Sequence, residues 1–238
     1  MSQIVYSSYE KREMRYLNQE IENELKKLGA DFVHFVDVSQ VTYQQNRGLP
    51  VAILIGIAIN PRFIRQVFED PNYLHTLEDE YAQTENRAGE ATDELAKFLT
   101  DKGYRAISQS DAALLAEGLF NFEKKESILP HKTVALFSGS GWIGKHNLFI
   151  TPQYGAAQCL GTVLTDAPLE VIQHEPRLPK CGKCNICGDV CEMKVLKGKI
   201  WNAKVSRDEI VDVYKCSTCL KCLVHCSWTQ KYRKKDKV

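Results

Sequence analysis

The sequence predicts an α/β (α+β) protein in two parts, a larger mixed domain followed by a small cysteine-rich one. Three observations predict it. Helix-periodic segments alternate with β-branched runs along most of the 238 residues. One run, LPVAILIGIAI from Leu49 to Ile59, is apolar throughout, as expected of a central strand covered on both faces. Finally, eight of the nine cysteines fall into two copies of one spacing, C-x2-C-x2-C-x3-C, at Cys181–Cys191 and Cys216–Cys226.

Taken in order, Glu10 to Leu28 carries apolar residues near a 3.6 period and stops at Gly29, which predicts a helix. FVHFVDV after it reads as a strand, with His34 a core or edge histidine. NYLHTLEDEYAQTENRAGEATDELAKFLTDKGY is acidic and periodic and ends at Gly103, so one or two helices with a solvated face are expected. ALLAEGLFNFEKKE, Ala113 to Glu126, reads as a further helical stretch. VALF and NLFIT then read as two short β runs around a glycine-rich turn, with AAQCLGTVLTDAPL after them. Pro168, Pro176 and Pro179 mark a linker, so domains of 1–178 and 179–238 are expected. The basic ending KYRKKDKV reads as a frayed solubilising tail.

Forty-four per cent apolar and 26% charged residues support an ordinary buried core. A net charge of +1 gives no whole-molecule field towards nucleic acid, so nucleic acid is not expected as a partner. The first residues lack a basic-then-apolar leader. The 11-residue run from Leu49 to Ile59 falls short of the roughly 20 residues that cross a bilayer. A cytoplasmic protein with no membrane association is expected, where thiols serve metals or catalysis rather than disulfides.

The cysteine spacing carries the strongest chemical signal. Three thiolates at x2–x2 wrap three iron corners of a [4Fe–4S] cube, and in two-cluster ferredoxins the fourth cysteine of each run ligates the other run's cube. That predicts one cluster on Cys181, Cys184, Cys187 and Cys226 and another on Cys191, Cys216, Cys219 and Cys222, in a bacterial-ferredoxin-like domain. Zinc is the rival, but its sites use four ligands in two pairs, and a repeated third and fourth cysteine would be surplus. His225 beside Cys226 reads as a neighbour or a surface residue rather than a ligand. Glu192 and Ser227 stand where ferredoxin runs have proline, and Glu192 would disfavour the reduced state of its cluster. Cys159 stands alone and reads as a small buried hydrophobe.

The turn SGSGWIGK matches G-x-G-x-x-G through Gly139, Gly141 and Gly144. A dinucleotide fingerprint should open the first βα unit with an acid about 20 residues later, whereas this one lies past the middle and Asp166 fits by spacing alone. A structural turn and a ligand cradle both remain open, with Lys145 to meet an anion and Trp142 to cover a flat ring.

LPHKTVA, GWIGK, TPQYG and GTVLTDAPL, followed by CGKCNICGDVC, resemble the epoxyqueuosine reductase-like family of double-cluster proteins, in particular its short members without a C-terminal helical-repeat domain. The resemblance covers roughly residues 28 to 226. It implies a nitroreductase-like N-terminal domain that binds cobalamin beside two [4Fe–4S] clusters, with FMN as the lesser alternative. By the same resemblance Pro130, His131, Lys132, Gly141, Trp142, Gly144 and Lys145 line the corrinoid pocket, and His131 and Tyr154 are candidate proton donors. Asp111 is the lone aspartate in the stretch where the family carries a catalytic one, but its surroundings differ. Without an Asp-x-His-x-x-Gly loop, a bound cobalamin would lack a protein histidine on cobalt.

The function expected is a redox protein passing single electrons through two clusters to a cofactor in the N-terminal domain, for reduction of a small or nucleoside-like substrate. A ferredoxin- or flavodoxin-type donor would supply the electrons. The alternative is a non-catalytic electron-transfer module that reduces a cofactor on a partner, such as a corrinoid protein. A zinc-containing nucleic-acid-binding module ranks third.

Overall fold

The computed structural model describes residues 7–234. The basic ending therefore lies outside the described residues from Lys235 onward, as do the first six residues of the N-terminus. A 20-residue helix, α1 (Ser8–Lys27), opens the chain with a Ser7/Glu10 capping box. Next come β1 (Phe32–Asp37), a single helical turn α2 (Tyr43–Asn46), β2 (Val51–Ala58), α3 (Pro61–Glu69) and the 22-residue α4 (Glu80–Asp101). After β3 (Ala106–Ser108) and α5 (Asp111–Ala116), a small hairpin joins β4 (Phe120–Asn121) to β5 (Glu126–Ser127). Helix α6 (His131–Phe137), a second hairpin of β6 (Trp142–Ile143) and β7 (Phe149–Ile150), and β8 (Gln158–Thr165) complete the mixed part. The cysteine-rich part adds three short helices, α7 (Ile186–Asp189), α8 (Lys221–Val224) and α9 (Ser227–Arg233).

The main sheet is antiparallel in the order β1-β2-β8-β3. β2 is central, and its unbroken apolar sequence follows from that position. Ile53 and Ile55 pack with Leu17 and Ile21 of α1 and Leu95 and Leu99 of α4 on one face. Ala52 and Leu54 alternate to the other face and meet Val134, Ala135, Ile143 and Phe149. A third apolar cluster joins Ile57, Ile59, Phe63, Ile64 and Trp142 to Leu220, Leu223, Val224 and Cys226. Full burial of a Leu or Val side chain stabilises by about 1.5–3 kcal/mol, so these last residues anchor the cysteine-rich part with several kcal/mol.

Three expectations need correction. VALF lies in α6, not in a strand: Pro130 precedes it as the N-cap, and the helix buries Val134, Ala135 and Leu136. The helical reading of Ala113–Glu126 holds only to Ala116. Gly118 there takes φ +67°, and FNFEKKES folds back as the β4–β5 hairpin. AAQCLGTV, with no strand assigned from sequence, forms the eight-residue β8 that pairs with both β2 and β3. Its Gly161 allows α4 to lie against the sheet, since a Cβ there would sit 2.1 Å from Thr92 Oγ1.

Candidate redox site

Each cysteine run begins as an extended loop and ends in a short helix, so its first thiols hang from turns. Gly182 in the first run and Thr218 and Leu220 in the second adopt left-handed backbone, φ +51°, +53° and +60°. For residues with a Cβ that conformation costs on the order of 1–2 kcal/mol each, so the second loop holds a strained curl. The runs do not keep their thiols to themselves. Burial pushes the Cys187 thiol up to about 11, with Cys181, Cys226 and Cys184 acting on it. Burial likewise pushes Cys222 up to about 12, with Cys219, Cys216, Cys187 and Cys191 acting on it. Cys226, from the second run, is thus near enough to act on Cys187 of the first, while Cys222 feels both Cys187 and Cys191 of the first run.

The chemistry of this donor set was tested against an iron–sulfur cube, which the motif implies. Among the described residues no three Cys, His, Asp or Glu side chains stand close enough to share a single metal ion. A cavity of about 180 Å³ is walled by Cys191, Cys216, Cys219 and Cys222 together with apolar Val195, Val211, Leu220 and Leu223. At the other set, Cys226 stands at the N-cap position of α9; burial raises its thiol pKa, and the backbone N–H groups of Trp228 and Thr229 oppose that rise. The residues fit the group.

Neighbouring charges are compensated. Glu192, beside Cys191, is ion-paired with Lys221, whose ammonium also donates to the Pro71 carbonyl at 2.8 Å, so the negative charge expected to act on the cluster is offset. His225 packs on Phe68 at 4.7 Å, and its Nδ1 donates to the Lys221 carbonyl at 3.0 Å.

A second cavity, about 350 Å³ and open on one side, lies between α4, α6 and β8. Pro130, His131 and Lys132 line it, together with Tyr81, Glu85, Asp111 and Cys159. His131 Nδ1 is hydrogen-bonded to Thr162 Oγ1 on β8 at 2.9 Å. Burial holds its pKa below the usual histidine range, opposed by the Asp111 charge. Lys132 is pushed down to about 8 by burial and by Arg207. Glu85 is exposed at the cavity rim, and its carboxyl is raised first by partial desolvation and then by Asp111. Cys159 is raised by burial, which makes it a poor thiolate.

Five residues expected beside the cofactor do not line this cavity. Trp142 is fully buried edge-on to Trp228 at 4.9 Å. Lys145 Nζ donates to the Cys184 carbonyl and to Asn185 Oδ1, both at 2.9 Å, and so ties the turn to the first cysteine loop. Gly141 and Gly144 are required by packing, because a Cβ would meet the Ile150 carbonyl at 2.1 Å and the His146 ring at 2.7 Å. The glycine turn thus opens a β-hairpin rather than the helix a dinucleotide fingerprint needs. Tyr154 accepts a hydrogen bond from Gln153 and stacks between Phe32 and Tyr232, away from the cavity lining.

Sequence reasoning missed Glu85 and set Asp111 aside. Glu85 had a readable signal: Tyr81, Glu85, Ala88, Thr92, Leu95 and Leu99 follow helical spacing, so it is the acid on an otherwise inward stripe. Asp111 is fixed by its predecessor, since Ser110 is buried, caps α5 through Ala113 N and donates to Asp93 at 2.8 Å. Tyr81, Asn147, Leu148 and Leu223 line both cavities, so the second thiol set and the α/β pocket share a wall.

No family model matches the chain. Among curated proteins, it is 41% identical over 66 residues to an epoxyqueuosine reductase of Listeria monocytogenes, spanning 28% of this chain and 17% of the relative. It is 30% identical over 130 residues to one of Gloeobacter violaceus, spanning 54% and 33%. These matches cover a third or less of the relatives' lengths. Among solved structures, a catabolic reductive dehalogenase superposes with TM-score 0.66 at 18% identity, over 90% of this chain and 32% of that one. An epoxyqueuosine reductase with an epoxyqueuosine-modified tRNA stem loop superposes with TM-score 0.60 at 16% identity, over 91% and 66%. That neighbour holds a nucleic acid, which partly conflicts with the expectation, drawn from net charge, that nucleic acid is not a partner. Mixed α/β architecture, cysteine runs and sequence likeness agree, and together they support a likeness of this chain to the epoxyqueuosine reductase-like family.

Proposed function

We propose that this protein is an iron–sulfur oxidoreductase. Cys181, Cys184, Cys187 and Cys226 would hold one [4Fe–4S] cluster, and Cys191, Cys216, Cys219 and Cys222 the other. With a ferredoxin- or flavodoxin-type donor, the two clusters would supply single electrons and a corrinoid held in the α/β cavity would supply the reducing centre for a small or nucleoside-like substrate. The observation that carries this reading is the wall of Tyr81, Asn147, Leu148 and Leu223 common to both cavities.

A bound corrinoid would supply a strongly reducing metal centre. The open cavity suits one face of a planar group, bordered by Leu148 and Leu160, with the Pro130–Lys132 turn at its edge. Asp111 and Glu85 are the acids there, and Glu85, with its raised pKa, is suited to hold a proton until it is needed. His131, half-buried and held to Thr162 Oγ1, would act by positioning. Near-zero net charge argues against steering a large polyanion, so a tRNA-sized substrate is the weaker choice within this reading.

The openness of the cavity also supports a second reading, in which the pocket docks a cofactor carried by a partner and the chain does no chemistry itself. Anaerobic purification with iron, sulfide, cobalt and zinc counts, followed by a spectral titration with cobalamin and with FMN, tests both. Eight irons with saturable cobalamin binding is the expected result. Eight irons with no corrinoid uptake leaves the carrier reading, flavin uptake replaces the cofactor, and zinc without sulfide sinks both.

A further inference from the structure

One buried donor has no role in the site described above. His146 is 5% exposed, and its Nδ1 accepts the Leu148 backbone N–H at 3.2 Å, which places the ring proton on Nε2. Nε2 is sealed from solvent and has no hydrogen-bond partner. An unsatisfied buried donor costs about 1–3 kcal/mol, so something must compensate it. The ring belongs to the wall that also carries Cys191, Cys216, Cys219 and Cys222. Its orientation is built in: Gly144 leaves room for it, since a Cβ there would lie 2.7 Å from His146 Cε1. Lys145, next in sequence, anchors the same turn to the first cysteine loop.

We propose that the Nε2–H of His146 donates a hydrogen bond to sulfur of the cluster on Cys191, Cys216, Cys219 and Cys222, and so raises that cluster's reduction potential. The inference rests on the iron–sulfur reading. A reduced cluster carries one more negative charge than an oxidised one, and hydrogen bonds to its sulfurs are among the factors that set its potential. A neutral imidazole N–H aimed at sulfur favours the reduced form without adding charge. The α/β domain thereby sets the potential of the cluster nearest its own pocket.

The test uses the full chain, reconstituted without oxygen, with iron and sulfide counted before each cluster's potential is measured by EPR-monitored titration. His146→Leu should keep eight irons and weaken reduction of the one cluster about tenfold, a 59 mV fall for a one-electron couple. The other cluster should not move, and His146→Gln, which still offers an N–H, should recover most of the shift. An iron-replete His146→Leu protein with an unmoved potential, or with both clusters shifted alike, overturns the proposal. If that variant does not fold, otherwise native protein labelled with 15N-histidine decides. A 15N coupling to the reduced cluster that persists in His225→Gln supports the hydrogen bond, and its absence refutes it. Wild-type protein that takes up no iron refutes the parent reading, and this inference with it.

Discussion

Cys191 closes the first cysteine run but lines one cavity with Cys216, Cys219 and Cys222 of the second. Cys191→Ser is therefore expected to abolish the cluster of Cys216, Cys219 and Cys222 and to spare the first, lowering iron from about eight to about four per chain. Loss of the other cluster instead would reverse the assignment. Asp79 is a second instructive residue. Burial alone would raise its pKa, but hydrogen bonds from Tyr73, from the Ala82 N–H that it caps, from His75 and from Thr76 outweigh burial and hold it at about 2. A depressed carboxylate stabilises above its unfolded pKa, so this contribution is present from about pH 4 upward and lost as pH falls towards 2. Asp79→Ala should cost roughly 1–2 kcal/mol in denaturant titrations at neutral pH, the range for loss of an N-cap, and should flatten the acid limb.

Between elements, close approach matters more than propensity. Helix α9 docks through Thr229, which is fully buried and accepts the Ala156 N–H at 3.0 Å. Gly155, at φ +63°, makes room for it, because a Cβ would lie 2.3 Å from Thr229 N. Gly155→Ala is expected to displace α9 and with it Cys226, so the first cluster should be lost to oxygen or chelator several-fold faster than the second. Equal loss rates would show that the docking does not reach the cluster. Gly161→Ala sets Cβ against Thr92 and should destabilise by about 1–3 kcal/mol through overpacking, read as a lower midpoint at constant m-value.

Across the molecule, the cysteine-rich part has little core of its own: Cys191, Val195 and Val211 form its private cluster, and Leu220, Leu223, Val224 and Cys226 pack with α3 and the Trp142 hairpin. Removing the clusters should raise hydrogen exchange across residues 181–226 while β2, β8 and α4 keep their protection. Uniform loss of protection would mean that the α/β sheet also depends on the metal. No helix among the described residues is long and apolar enough to cross a membrane.

Much of this was readable in one dimension because the chemistry imposes a spacing. A cube with three corners served by one loop demands x2–x2, and a strand buried on both faces demands an unbroken apolar run such as VAILIGIA. VALF misled because a short apolar segment is compatible with either a strand or a buried helix until its neighbours are known. The GWIGK turn misled differently: its residues are held by packing between the two parts, and neither the docking of Lys145 on Cys184 nor the orphaned N–H of His146 leaves a local pattern. Sequence by itself determined the cysteine spacing, the central strand and the family likeness. Tertiary structure decided which thiols stand together, which acids reach the pocket and that the two cavities share a wall. Those depend on contacts between residues 30 to 150 positions apart, and no periodicity along the chain encodes them.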